Sequence, residues 1–188
     1  MKKWMVASIL ALTLTVGAVC SAESKQDKEK QKIRDGTAQT LQDLYKAQPS
    51  SQAAIQNAAG YAVFKNFGTH ILVVSTASGK GVAVNNKTKQ ETFMKMISGG
   101  AGLGVGVKDF RVIFVFGSEK ALNTFLSSGW SGSGHADAAA KAGESGGAYS
   151  GAVEVAPETW VYQMTKNGLA LQLTLQGTKY YKNDDLNK

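Results

Sequence analysis

The chain has very few of the residues on which most catalytic and metal sites depend. Its 188 residues include one cysteine, two histidines and two prolines. A single cysteine excludes an internal disulfide. His70 and His135 are too few for a convincing catalytic triad or zinc site, and His135 with Asp137 makes only a two-ligand pair. We therefore predict no metal, no cofactor and no enzymatic activity, and keep a hydrolase only as a remote alternative.

The glycine-rich segments lack the spacing of nucleotide-binding loops. Residues 99–106 are Gly-Gly-Ala-Gly-Leu-Gly-Val-Gly, but a dinucleotide fingerprint beginning at Gly100 needs glycine where Val105 stands. Gly79-Lys80 is followed by glycine, whereas a phosphate loop requires serine or threonine. Because side chains alternate across a strand, the even-numbered glycines of 99–106 share one bare face. We expect another element to pack closely against that face.

The first 22 residues have the pattern of an export signal. Two lysines precede an uncharged, apolar run over 6–19, and Cys20-Ser21-Ala22 supplies the small residues of a cleavage site. The run is shorter than the about 20 apolar residues that a membrane-spanning helix needs. We expect cleavage after Ala22, which leaves an exported chain without cysteine. Lipidation of Cys20 is the alternative.

The remaining chain divides into a helical segment, 23–59, and a glycine-rich segment, 60–188, which holds 19 of the 21 glycines. Apolar residues at helical spacing and a break at Pro49 predict one long helix and a short one over 52–59. After Gly60, short β-like runs alternate with turn residues, and Ser118 begins an inserted helix within 118–128. The predicted strands are 61–64, 70–74, 81–84, 91–97, 99–106, 111–116, 153–155, 160–164 and 169–175, followed by a polar tail.

This pattern predicts an α+β fold. We expect an antiparallel β-sheet, or a partly closed barrel-like sheet, with N-terminal helices and one inserted helix after the central strands. The long helix carries an apolar stripe, which is narrow and is expected to dock on the sheet. The stripe consists of Ile33, Leu41, Leu44 and Tyr45.

Lysines are the candidate binding residues. The chain has 21 basic and 14 acidic residues, a formal net charge of +7, which favours an anionic partner such as a membrane surface. If the predicted strands run up and down in order, the turns at 65–68 and 86–89 and the bend near 108 lie at one end of the sheet. The candidate residues gathered there are Lys65, Lys87, Lys89 and Lys108. A secondary set lies opposite the apolar stripe of the long helix: Lys25, Lys28 and Lys32.

Several short motifs follow one another in a characteristic order. They are Gly60-Tyr-Ala-Val-Phe64, Gly79-Lys-Gly81-Val82, the glycine strand, 112–116 leading into a helix, Gly134-His-Ala-Asp137-Ala138, and Lys166-Asn-Gly168 with the residues up to Gly177. Together they resemble the SYLF domain family over about residues 35–185. The chain departs from the family pattern at Lys65, where proline is usual, and at 73–77, where many members are glycine-rich.

The resemblance implies binding of acidic lipids, partly through an amphipathic N-terminal helix. It also implies an exported bacterial protein, located in the periplasm or at the outer membrane. We therefore expect a non-enzymatic protein that binds an anionic lipid or membrane surface, with no nucleic-acid partner. The family's actin-regulating role is not carried over, because an exported protein would not meet actin. The alternative is a periplasmic structural or protein-interaction module that binds another envelope protein through the glycine strand or the N-terminal helix.

Overall fold

An antiparallel sheet organises the chain in the computed structural model, which describes residues 24–65, 76–99, 111–132, 147–165, 168–169 and 178–188. Two helices come first, α1 (Lys25–Ala47) and α2 (Ser50–Asn57), and α3 (Glu119–Ser128) is inserted later. The strands are β1 (Gly60–Lys65), β2 (Thr76–Asn85), β3 (Glu91–Gly99), β4 (Arg111–Phe116), β5 (Trp130–Ser131), β6 (Val153–Ala156), β7 (Thr159–Thr165), β8 (Gly168–Leu169) and β9 (Thr178–Lys182). Short 3₁₀ turns lie at Gly147–Tyr149 and Asp184–Leu186.

The sheet is curled into a half-barrel. Its strands follow the order β5-β9-β3-β2-β1-β4-β7-β6, and β8 pairs with β7. Strands β9 and β4 are therefore four positions apart, which is about 19 Å in a flat sheet. However, the ring centroids of Tyr180 on β9 and Phe114 on β4 are only 4.9 Å apart. The predicted α+β fold with a partly closed antiparallel sheet is confirmed.

The inner face of the sheet encloses an aromatic core that α3 covers. Phe64, Phe114 and Tyr180 are buried there and contact Phe125 of α3. The α3 helix begins as predicted, because the Ser118 hydroxyl accepts a hydrogen bond from the amide of Ala121 at 3.3 Å. Its apolar side can therefore be held against the concave surface of the sheet.

The outer face is covered by α1 and α2. A capping box at Ser24 and Asp27 starts α1, and Ile33 and Leu44 bury its apolar stripe against the sheet. Lys30 and Arg34 of α1 also lie over the ring of Phe93, at 5.7 and 5.4 Å from its centroid. The predicted docking of the long helix is confirmed.

The prediction of a turn at 78–80 before a separate strand at 81–84 is wrong, whereas the predicted strand at 70–74 lies outside the described residues. Residues 76–85 form the single strand β2, so Ser78-Gly79-Lys80 lies within a strand. Gly79 and Gly81 do not form a turn but allow neighbouring groups to approach the backbone of β2. A Cβ at Gly81 would lie 2.6 Å from the ring of Phe64, so the bare glycine face makes room for this aromatic side chain.

The predicted polar tail is also wrong, because part of it forms β9. This strand pairs with β3, and it alternates buried Thr178 and Tyr180 with exposed Lys179 and half-buried Tyr181. At the other end of the domain, α2 spans Ser50–Asn57, so it begins and ends two residues earlier than the predicted 52–59. The signal segment with Cys20, residues 100–106, both histidines, Asp137 and Lys108 lie outside the described residues.

Candidate functional site

The register of the sheet defines two ends. Strand β1 begins at Gly60, which pairs with Asn85, and finishes at Lys65, which pairs with Lys80. We call these the Asn85 end and the Lys65 end. Arg111 pairs with Lys65 from the other side, so β4 begins at the Lys65 end. Every charged residue of the central strands can be placed from this register.

The predicted cluster of turn lysines does not form. Lys87 and Lys89 follow β2 at the Asn85 end, whereas Lys65 lies five residues along β1 from that end, about 17 Å away. The cause is the unbroken strand β2, because removing one predicted turn moves the next turn to the opposite end. Lys108 lies outside the described residues.

Lys87 and Lys89 belong to a turn built by asparagines. The Asn85 side-chain oxygen accepts from the amides of Lys87 and Thr88, each at 2.9 Å. Lys89 adopts a positive φ of 60°. The Asn86 amide group donates to the carbonyls of Ile55 and Ala58, which fixes the turn against α2. Both lysines are exposed on this turn. The secondary candidates Lys25, Lys28 and Lys32 are exposed on α1.

A different set of cations lies together on the sheet. Arg111, Lys65, Lys80 and Lys95 occupy successive strands β4, β1, β2 and β3, and each is the direct register partner of the next. Residues directly opposite each other in neighbouring strands project from the same face. We call these four residues the cation row. It lies on the outer face, towards the Lys65 end.

Carboxylates balance part of the cation row, and two of them come from α1. Glu29 pairs with Lys80, and Asp43 pairs with Arg111 at 2.5 Å. Asp185 pairs with Lys95 at 3.1 Å. Partial burial opposes ionisation of Asp43, but hydrogen bonds from Arg111 and Gln39 keep the pKa of its carboxyl below the usual value. Thus α1 is held over the row by charge as well as by its apolar stripe.

Within the described structure, Lys65 is the member of the row without a counter-charge. The residue is half-buried, and its ammonium has no hydrogen bond or ion pair to the described residues. Beside it, Arg111 donates to Asp43 and to the carbonyl of Thr165, but its Nε is buried and has no acceptor within the described structure. The Lys65 ammonium and the Arg111 Nε are therefore two donors without acceptors in the described structure, and they belong to register partners.

Replacing Lys65 by methionine should make the protein slightly more stable at low salt. The substitution keeps the apolar stem but removes like-charge repulsion from Lys80 and Arg111. Cross-strand pairs contribute about 0.2–1 kcal/mol. We expect the free energy of unfolding in urea to rise by that order, with the gain shrinking as added salt screens the charges. A loss of stability would show that the Lys65 ammonium has a structural partner.

Comparison with known proteins supports the sequence resemblance. Residues 97–188 match the model of the Ysc84 family, described as "Las17-binding protein actin regulator". These residues match a SYLF domain. It is also similar to "Beta cell expansion factor A" from Aeromonas veronii, with 32% identity over 145 residues, which cover 76% of this chain and 53% of the relative. The chain therefore spans about half the length of this curated relative.

The match to the family model and the cation row overlap only in part. Arg111 of the row lies within the matched residues 97–188 of the SYLF domain, whereas Lys65, Lys80 and Lys95 precede them. No helix in the described part of the protein is long and apolar enough to cross a membrane. Its described residues also contain no group of three or more histidine, cysteine, aspartate or glutamate side chains placed to hold a metal ion.

Proposed function

We propose that this SYLF protein associates reversibly with anionic lipid surfaces through the Lys65 end of its sheet. The observation that carries the proposal is the cation row, in which Lys65 has no counter-charge among the described residues. Exposed Lys179 adds another cation, because it pairs with Ile97, which projects from the same face as Lys95. Each lysine near an anionic leaflet contributes about 1 kcal/mol, which suits reversible attachment.

An apolar contact accompanies these charges. Ile97 lies on β3 two residues beyond Lys95, and 46% of its surface is exposed. Among the described residues, Ile97 is the only large hydrophobic residue that is exposed. An aliphatic side chain between lysines fits the boundary between headgroups and acyl chains. The proposed contact is therefore mainly electrostatic with a small apolar component.

The proposal includes an exported, non-enzymatic protein at the periplasmic face of a membrane. The basic start, apolar run and small residues of the first 22 positions support export. The net charge of +7 supports an anionic partner. Analysis of the intact mass of the exported protein tests the processing step. A chain beginning at Glu23 supports cleavage, whereas a lipid on Cys20 supports a lipoprotein.

Reversing two charges at the Lys65 end should strongly weaken membrane binding. We expect the double variant Lys65→Glu/Lys179→Glu to bind vesicles of phosphatidylcholine and phosphatidylglycerol roughly a hundredfold more weakly at low salt, because each lysine contributes about 1 kcal/mol and each glutamate adds repulsion. Co-sedimentation measures the effect. Wild-type binding should also fall with salt, because the Debye length shrinks from about 10 Å at 0.1 M to 3 Å at 1 M.

The double variant Lys87→Glu/Lys89→Glu is the matched control. It changes the net charge by the same amount, but at the Asn85 end. It should retain binding if the Lys65 end faces the membrane. Equal loss in both variants would indicate attraction by net charge alone. Absence of wild-type binding to any anionic vesicle would favour the protein-interaction alternative.

A further inference from the structure

The spacing of α1 leaves a gap above Lys65. Glu29, Gly36 and Asp43 are seven residues apart, close to two helical turns, so they lie on the same side of α1. Glu29 pairs with Lys80 on β2, and Asp43 pairs with Arg111 on β4. Strand β1 lies between these strands. Gly36 is thus halfway between the two carboxylates, as Lys65 is between the two cations.

Glycine at the middle position supplies neither a carboxylate nor any other side chain. Three cations of the row, Lys65, Lys80 and Arg111, therefore face only two carboxylates from α1. These are Glu29 and Asp43. Three positive and two negative charges leave a net charge of +1. One further anion between the two ion pairs would complete the series.

We propose that Lys65 and Arg111 form a binding site for a single phosphate group. The inference rests on the proposed function, because it names the anionic group that the Lys65 end recognises. Lys65 supplies an ammonium without an acceptor in the described structure, and Arg111 supplies an Nε donor without one. Register partners have Cβ atoms about 4.5–5.5 Å apart, close enough for both side chains to contact one phosphate.

The chemistry of the two side chains suits a phosphate. A guanidinium presents its N–H donors in a planar fork that matches phosphate oxygens, and an ammonium adds a compact point charge. Asp43 already occupies one side of the Arg111 guanidinium, at Nη1, and the carbonyl of Thr165 accepts from Nη2. Nε is the donor of Arg111 that has no acceptor in the described structure, and because it is buried, the guanidinium must shift outward for a phosphate to reach it beside Lys65 on the neighbouring strand. Both a lipid headgroup and soluble phosphate offer this group.

The first experiment uses inorganic phosphate as the probe. We would measure the thermal unfolding midpoint of the wild-type chain, of Lys65→Met and of the control Lys87→Met, in phosphate and in chloride at equal ionic strength. Phosphate stabilises proteins generally through exclusion from the surface, so the comparison between variants is decisive. We expect a saturable upward shift in wild type and Lys87→Met, and an apparent affinity at least about tenfold weaker in Lys65→Met.

The second experiment separates the two sources of phosphate. Vesicles with phosphatidic acid, whose phosphate is a monoester, are compared with phosphatidylglycerol vesicles of equal surface charge. A preference for phosphatidic acid that disappears in Lys65→Met identifies the lipid headgroup. Without such a preference, a phosphate shift that depends on Lys65 identifies soluble phosphate. Both results support the site. The inference is overturned if wild type and Lys65→Met respond equally to phosphate and to both vesicles.

Failure of this site can be told apart from failure of the proposed function. If wild type binds no anionic vesicle but shows the phosphate shift that depends on Lys65, membrane association is wrong and the phosphate site remains. If wild type binds both kinds of vesicle equally, and Lys65→Met changes neither this binding nor the phosphate response, the membrane proposal remains and the site is wrong.

Discussion

Phe114→Ala should lower the free energy of unfolding by about 3–5 kcal/mol, the usual cost of truncating a fully buried phenylalanine. Phe114 has 0% exposure. Its ring centroid lies 5.0 Å from that of Phe125 and 4.9 Å from that of Tyr180. These rings come from α3 and β9, so the cavity would open where the helix and the distant strand meet. Collapse around it would require movement of the half-barrel itself.

Equilibrium unfolding in urea measures this effect. Ile97→Ala is the matched control. It also truncates a large apolar side chain on the sheet, but Ile97 is 46% exposed. Surface substitutions of this kind usually change stability by less than about 0.5 kcal/mol. A cost below about 1 kcal/mol for Phe114→Ala would contradict the view that the aromatic core holds the curled sheet together.

The elements with strong local patterns could be predicted from the sequence. The apolar stripe of α1 contains Ile33 and Leu44, which are buried, and Ser118 caps α3 as expected. These features depend on residues within one or two helical turns of each other. Strand β9 has no comparable local signal, since Tyr180 is its one fully buried large residue and lysines lie on both sides of the tyrosines. The register partner of Tyr180 is Met96 on β3, which lies 84 positions earlier in the sequence.

Glycine has two structural uses that a local pattern does not separate. Ser78-Gly79-Lys80 has the composition of a turn, and it was predicted as one. In the structure both Gly79 and Gly81 lie within β2 because other groups approach their backbone closely. Close packing against a bare glycine face is thus seen in β2, whereas the corresponding expectation for residues 100–106 lies outside the described part of the chain and stays a prediction.

The error in β2 also explains the error in the candidate site. In an antiparallel sheet, each additional turn moves the following turn to the opposite end. One false turn therefore placed Lys87 and Lys89 beside Lys65. The residues that do lie beside Lys65 are 15 or more positions away in the sequence, namely Lys80 and Arg111. Without the register, nothing in their local sequence distinguishes them from other surface cations.

Gly81→Ala should destabilise the protein by about 3 kcal/mol, at the upper end of the usual cost of overpacking. An added Cβ would lie 2.2 Å from the carbonyl oxygen of Val63 and 2.6 Å from the Phe64 ring. The carbonyl belongs to the backbone of β1, and Phe64 packs against Tyr180 with ring centroids 4.6 Å apart. Neither group can move without disturbing the hydrogen bonds between β1 and β2 or the aromatic core. The clash therefore cannot be relieved at a small energetic cost.

Gly79→Ala provides a graded comparison on the same face of β2. Its Cβ would meet the flexible end of Met96 at 2.8 Å and the carbonyl oxygen of Lys65 at 2.9 Å, so a smaller cost is expected. Ser78→Ala, at an exposed position of the same strand, should change stability little. Urea unfolding should therefore rank the costs Gly81, Gly79, Ser78. Equal stability of Gly81→Ala and wild type would mean that β1 and β2 tolerate a side chain here, and that the glycines of β2 are not required by packing.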